Sequence, residues 1–185
     1  MKIYKVLMIT IMIAVMSSLN AGWNPTKEED KKDKRIQAQN EAKSTVSEFK
    51  KKSPKLNVFF DKAYGYAVFP TVGKAGMGIG GAYGSGVVYK SSTVIGYSSL
   101  TQLTFGFQFG GQAYSEIIFF KDKGALNRFI EGNFELGAQA SAVAVTAGAS
   151  ADVDYSNGVA VFTMAKGGLM YEATVGGQKF SFDDK

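Results

Sequence analysis

Seven glycines fall within the fourteen residues Gly73–Gly86, interleaved with Met77, Ile79, Tyr83 and a single lysine, Lys74. No stable helix runs through such a segment, because each glycine costs about 1 kcal/mol relative to alanine in a helix interior. In strands, glycine marks bulges, tight bends and points where another backbone comes close. The stretch therefore predicts curved β-structure in which aromatic rings lie over neighbouring glycines. A glycine-lined edge of this kind would also let a lipid headgroup or acyl chain approach closely.

Two nucleotide-binding readings of the same stretch fail. Gly76-Met77-Gly78-Ile79-Gly80-Gly81 formally satisfies G-x-G-x-x-G. A dinucleotide site needs a helix directly behind that motif and an acidic residue about 20 positions on. Here Tyr83–Val88 reads as turn and strand, and Ser98–Thr101 holds no carboxylate. Lys74 lacks the Gly-Lys-Ser/Thr of a phosphate-binding loop.

The chain has neither cysteine nor histidine, so a disulfide framework, a Cys/His zinc site and a Ser-His-Asp triad are excluded. The close carboxylate pairs Asp152/Asp154 and Asp183/Asp184 sit by an expected turn and at the terminus. Nothing assembles a nucleophile, a base and an oxyanion donor. The expectation is a non-enzyme with no cofactor and no metal.

Residues 1–21 read as a secretory signal peptide. Lys2 and Lys5 precede an apolar run from Val6 to Met16, and Ser17–Ala21 supplies small and polar residues, with cleavage expected after Ala21. The apolar run is short of the roughly 20 residues that span a bilayer. The address is a bacterial periplasm or cell envelope. The formal charge of +5 is concentrated early: Thr26–Ser53 carries nine basic and six acidic side chains, and Pro54–Lys185 carries ten of each.

Residues 22–53 form a charged helical arm. Pro25, Thr26 and Glu29 have the spacing of a helix start, and Ile36, Ala42, Val46 and Phe49 make a thin apolar stripe. Ser53-Pro54 suits the cap and first turn of a second short helix reaching Lys62. From Tyr64 the texture turns to short strands: Val68, Gly78–Gly80, Val87–Tyr89, Val94–Tyr97, Leu103–Phe109 and Glu116–Phe120. In the clearest, Leu103, Phe105, Phe107 and Phe109 share one face, and Gln102, Thr104, Gly106 and Gln108 the other. Ile117-Ile118-Phe119-Phe120 is apolar on both faces, as in a central covered strand. Asp122 can cap a helix over Gly124–Glu131 that stops at Gly132. Strand texture resumes from Phe134, and Ala138–Ala151 is read as strand rather than helix. Gly110-Gly111-Gln112 echoes Gly176-Gly177-Gln178.

Gly65-Tyr66-Ala67-Val68-Phe69-Pro70, the glycine run behind it, Phe105–Gln112, Gly132-Asn133-Phe134-Glu135-Leu136-Gly137 and Ala165-Lys166-Gly167-Gly168-Leu169 follow one another in the order of a known family. With Phe49-Lys50-Lys51-Lys52-Ser53-Pro54 ahead of them, the chain from Phe49 to Phe180 resembles the SYLF (Ysc84-type) lipid-binding domain family. It departs at Ser91-Ser92-Thr93-Val94, where relatives often carry a Trp-Ser-Ala-Pro type element. The resemblance implies lipid binding, with phosphoinositide affinity and actin-binding adaptors among eukaryotic members. For an exported bacterial chain this translates into envelope phospholipid.

The expected fold is α+β and β-rich, with N-terminal helices followed by a curved antiparallel sheet or barrel-like sandwich over residues 54–185. The expected partner is anionic phospholipid or a membrane surface. Nucleic acid is not expected, and a protein partner is left unspecified. Lys50, Lys51, Lys52 and Lys55 are headgroup candidates because lysines beside Phe49, Phe59 and Phe60 suit an anionic surface. Lys74 joins them through the Val-Gly-Lys-Ala-Gly signature of the family, whose Tyr66 and Phe69 are expected in the core. The rival expectations are a small outer-membrane β-barrel, argued against by short strands, and a structural or partner-binding envelope protein without lipid affinity.

Overall fold

Helix-forming Lys, Glu, Gln and Ala residues carry helix α1 from Pro25 to Lys52, one residue ahead of the expected start at Thr26. The structure is a computed structural model that describes residues 25–132, 134–136, 142–145 and 154–185. The expected signal segment, residues 1–21, lies outside the described residues. The chain divides into two units at Gln37/Ala38. In the first, Glu28–Lys34 are all exposed, as a helix stretch with almost nothing to bury should be. In the second, Ala42 and Phe49 of α1 are fully buried and Ala38 and Val46 partly so. Ser53 then adopts an extended conformation ahead of a 3-10 turn at Pro54–Leu56 and helix α2 (Asn57–Lys62), without capping through its hydroxyl.

Strand β1 (Gly65–Lys90) and strand β2 (Thr93–Phe120) form one antiparallel hairpin, from Gly65↔Phe120 to Lys90↔Thr93, around Ser91-Ser92. Helix α3 (Lys123–Ile130) follows, with Asp122 Oδ1 accepting from the Ala125 amide at 2.9 Å, as the sequence pattern indicated. Two short strands, β3 (Glu135–Leu136) and β4 (Ala142–Ala144), lead to the long strand β5 (Val159–Asp184). β5 pairs antiparallel with the other side of β2, from Gly96↔Asp184 to Phe120↔Val159. β3 joins β5 antiparallel and β4 joins it parallel. The order is β1-β2-β5-β3 with β4 also on β5, so among the described residues the sheet is open and not closed into a barrel. The expected fold class, a β-rich α+β domain with helices first, is the one observed. The strand reading of Ala138–Ala151 holds for Ala142–Ala144, and the flanking residues 137–141 and 146–153 lie outside the described residues.

The expectation of many short strands is corrected. The segments are joined into three strands of 26, 28 and 26 residues. Glycines bend these strands rather than end them, because a bulge interrupts only one or two rungs of the ladder. The β1–β2 register shifts between Met77 and Ile79, around Gly78, whose φ of +73° a side chain would strain. Straight, residues 72 and 84 would stand about 40 Å apart. Instead a Cβ on Gly84 would lie 2.8 Å from Val72 Cγ2, and one on Gly86 2.6 Å from Phe69 Cδ1. The ends of β1 also meet: Ser91 N donates to Tyr64 O at 3.2 Å, and Tyr66 stacks on Tyr89 with centroids 4.8 Å apart. β1 therefore folds across itself, and the strands beside it share an inside and an outside.

The inside of one end is an apolar plug. Phe69, Ile118, Phe120, Val161 and Phe180 meet Ala125, Leu126 and Phe129 of α3. Phe129 lies 4.9 Å from Phe120 and 5.1 Å from Phe180, centroid to centroid. The outside of the same strands is covered by α1 and α2: Val68, Ile117, Phe119, Ala160 and Phe162 pack with Ala42, Phe49, Leu56, Phe59 and Phe60. Ile117–Phe120 is accordingly buried on both faces. Phe69 is core, and Tyr66 packs partly buried against Phe60 and Phe119.

Candidate functional site: a polar cavity and an uncovered apolar face

Beyond the apolar plug the same inner face turns polar. Lys74 of β1, Gln102, Gln112, Tyr114 and Glu116 of β2, and Thr163 and Gln178 of β5 surround a cavity of about 330 Å³. The pairings Lys74↔Gln112, Glu116↔Thr163 and Gln102↔Gln178 set them out in cross-strand pairs on three strands, and the bend of the sheet brings the Gln102/Gln178 pair, 14 residues along β2, up to Glu116. Glu116 is fully buried. Gln178 Nε2 donates to Glu116 Oε2 at 3.2 Å and to the Tyr114 hydroxyl at 3.1 Å. Glu116 Oε1 and Gln178 Oε1 have no hydrogen-bond partner among the described residues. Burial drives the Glu116 carboxyl up to about 7, and the hydrogen bond from Gln178 offsets only part of that. Burying a carboxyl without full pairing costs several kcal/mol, and such a group lining a cavity is a candidate functional position.

The outer face at the bend is the reverse of the inner one. Leu103 and Phe105 share the exposed face of β2, opposite Gly81 and Ile79 of β1. Met77 (76% exposed), Ile79, Tyr83, Leu103, Phe105 and Phe109 (60%) are all mainly exposed. Thr104, the polar neighbour between Leu103 and Phe105, is 1% exposed. Polar side chains point in and apolar side chains point out. Six large apolar groups exposed around one bend exceed the scattered singles of an ordinary surface.

The predicted headgroup lysines fall into two settings. Lys50, Lys51, Lys52 and Lys55 gather where α1 ends and the 3-10 turn begins, with Lys51 and Lys55 exposed. Lys50 Nζ stands 4.6 Å from the Phe60 ring centroid, a cation–π contact. Lys74 is instead 8% exposed and lines the cavity. The apolar half of the lysine–phenylalanine pattern is corrected: Phe49 is fully buried, and Phe59 and Phe60 pack into the outer core. Alternate apolar residues on α1 and α2 are needed to cover β2, so they are not available to a membrane. The apolar surface lies at the strand bend instead.

Sequence reasoning passed over Glu116, Gln178, Gln102, Gln112 and Tyr114. One signal was present. Glu116 is the sole carboxylate between Asp61 and Asp122, set directly before Ile117-Ile118-Phe119-Phe120. The glutamine echo was a second, since Gln112 and Gln178 line the same cavity.

Residues 101–185 match the family model described as "Ysc84: Las17-binding protein actin regulator". Beta cell expansion factor A of Aeromonas veronii is 28% identical to this chain over 171 residues, which is 92% of this chain and 64% of that protein. The chain thus spans a little under two thirds of that relative's length.

Proposed function

We propose that this protein, whose residues 101–185 match the Ysc84 (SYLF) family model, is a non-catalytic phospholipid-binding protein of the bacterial cell envelope, exported and peripheral on the periplasmic side of a membrane. The observation that carries the reading is the uncovered face of Met77, Ile79, Tyr83, Leu103, Phe105 and Phe109 above a polar interior. In water these side chains cost free energy. In the acyl region of a bilayer each contributes about 1.5–3 kcal/mol on full burial. Lys50, Lys51, Lys52 and Lys55 add electrostatic attraction to anionic headgroups, about 1 kcal/mol per base close to the surface.

Co-sedimentation with vesicles tests this. The protein is mixed with neutral or anionic vesicles at low and high salt. Wild-type protein binds anionic vesicles, and binding weakens with salt. Lys50→Ala/Lys51→Ala/Lys52→Ala lowers the salt-sensitive part, whereas Ile79→Ser/Leu103→Ser/Phe105→Ser lowers the part that persists in salt. No binding to any vesicle rules the reading out and leaves a structural or protein-partner role.

One observation favours the β-barrel rival. Strands of 26 to 28 residues exceed the 9–11 needed to span a bilayer, so the objection drawn from short strands falls. Apolar-out, polar-in alternation is also how spanning strands read. Against it stand the open sheet and the helices packed over its outer face. Among the described residues no helix is long and apolar enough to cross a membrane. Carbonate extraction separates the two readings: a peripheral protein is released and an integral barrel stays with the membrane.

A further inference from the structure

Two acceptors under the cavity lie where no ligand can reach them. Glu116 Oε1 and Gln178 Oε1 are shut off from solvent and have no hydrogen-bond partner among the described residues. The same two side chains are already joined at their other ends, with Gln178 Nε2 donating to Glu116 Oε2 at 3.2 Å. The second amide proton of Gln178 goes to the Tyr114 hydroxyl, 3.1 Å away. A donor for the two remaining oxygens must therefore come from within the pair. A carboxylic acid and a carboxamide can meet edge to edge through two reciprocal hydrogen bonds, amide N–H to acid oxygen and acid O–H to amide oxygen. The bond already present is one half of that arrangement, and the two orphaned oxygens are the atoms of the other half. A single proton on Glu116 Oε1 satisfies both.

The place of this pair in the sheet gives it a mechanical role. In the ladder Gln178 is paired with Gln102, and Glu116 with Thr163. Gln102 and Glu116 are 14 residues apart along β2, which is about 46 Å on a straight strand. The stretch between them holds Leu103, Phe105 and Phe109, the exposed apolar residues of the bend. The contact of Glu116 with Gln178 therefore fastens one arm of the bent sheet to the other across the inside of the bend.

Few groups around the cavity titrate or carry charge. β1 supplies Lys74 and β2 supplies Tyr114 beside Glu116, whereas Thr163 and Gln178 of β5 and Ala144 of β4 do not ionise. Lys74 is engaged in an interaction of its own within the protein. Burial, partly offset by the hydrogen bond from Gln178, is what holds the Glu116 proton up to about pH 7.

We propose that Glu116 and Gln178 form a proton-closed latch across the bend: a proton between Glu116 Oε1 and Gln178 Oε1 fastens the two arms, and its loss parts the pair and admits water to the carboxylate. Once the proton has gone to solvent, carboxylate and amide oxygens are two acceptors set against each other. A buried charge in that position is relieved only by hydration. The latch is fastened in mildly acid solution and released above neutrality. It goes beyond the phospholipid reading and does not rest on it.

The test is an NMR titration of the full chain, carrying 13C at its glutamate carboxyls and 15N at its glutamine side-chain amides, from about pH 5 to about pH 9. The Glu116 carboxyl and the Gln178 amide signals move together, with one shared midpoint near pH 7. Exchange of the Gln178 side-chain N–H protons with water adds a second readout. Glu116→Gln keeps the shape and closes the pair with an N–H in place of the O–H at every pH. Above the midpoint, Gln178 therefore exchanges at least about tenfold faster in wild type than in Glu116→Gln, the scale of one lost hydrogen bond. Below it, the two proteins exchange alike.

A Glu116 carboxyl that titrates while the Gln178 amide signal stays still overturns the latch with wild-type protein alone. So does a Glu116 midpoint at the ordinary carboxyl value of 4.5. Equal exchange of Gln178 in wild type and folded Glu116→Gln above the midpoint overturns the release. Vesicle binding is read in a separate experiment, so failure of the latch and failure of the membrane reading are distinguishable.

Discussion

Gln178 of β5 and Glu116 of β2 are paired with Gln102 and Thr163 in the ladder, yet they meet inside the bent sheet, with the amide nitrogen 3.2 Å from one carboxyl oxygen and the other oxygen without a partner among the described residues. One neutral hydrogen bond does not replace the hydration that Glu116 gives up on burial. Burial therefore favours the protonated Glu116 carboxyl up to about pH 7.

Stability should therefore depend on pH through this group. The folded chain holds the Glu116 proton up to about pH 7, whereas the unfolded chain releases it near the ordinary carboxyl value of 4.5. Between those values the native state binds more protons, so this contribution to stability falls as pH rises from about 4.5 to 7 and is flat above. Its full size is on the order of 3 kcal/mol. Glu116→Gln abolishes the slope and raises Tm relative to wild type at pH 8. Thermal denaturation across pH 4.5–8 checks it, and parallel wild-type and variant curves would contradict it.

Gly86 is held open by its neighbours. A Cβ there would lie 2.6 Å from Phe69 Cδ1 and 2.7 Å from Val68 O, whereas one on Gly73 would meet nothing within 4 Å. Gly86→Ala should destabilise by about 1–3 kcal/mol through overpacking of β1 against itself. Gly73→Ala should be near neutral. Urea unfolding of the pair measures the difference, and equal midpoints would show that β1 does not fold across itself this tightly.

Phe129 plugs the apolar end of the inner face, touching the rings of Phe120, Phe134 and Phe180. Phe129→Ala removes a fully buried ring and should cost about 3–5 kcal/mol. Chemical denaturation reports the loss. A change under 1 kcal/mol would mean that α3 does not close this end.

Asp122 caps α3 by accepting from the Ala125 amide at 2.9 Å. Asp122→Ala leaves that amide without its partner and should cost about 1 kcal/mol, while Asp122→Asn should keep most of it. Thermal melts of the two variants, ranked in that order, bear on the cap directly.

Local features with local causes were legible early. The Asp122 cap, the proline opening the turn at Pro54 and the Asn157-Gly158 turn all depend on residues within four positions of one another. Asn157 and Gly158 take φ of 50° and 82°, and Ser156 and Val159 exchange both backbone hydrogen bonds. That is the primed hairpin geometry asparagine–glycine favours. The two-sided burial of Ile117–Phe120 was equally readable from its unbroken apolar run. The cavity was not, because Lys74, Glu116 and Gln178 are separated by 42 and 62 positions, and Glu116 and Gln178, which pair with Thr163 and Gln102 in the ladder, meet only where the bent strands bring their ends together.

The alternation at Gln102–Phe109 marks the division most clearly. Sequence alone determined that this segment is a strand, that Leu103 and Phe105 share a face and that Gln102 and Thr104 share the other, because side chains on a strand alternate with period two. It could not say which face is inside. That was decided by the tertiary structure: β1 folds across itself at Gly78 and encloses the polar side, and α1 and α2 use Phe49, Phe59 and Phe60 on the outer face around Phe119 and Phe162. Among the described residues the apolar side at the bend is left without a cover, for a reason that lies in where distant residues bury their own surface.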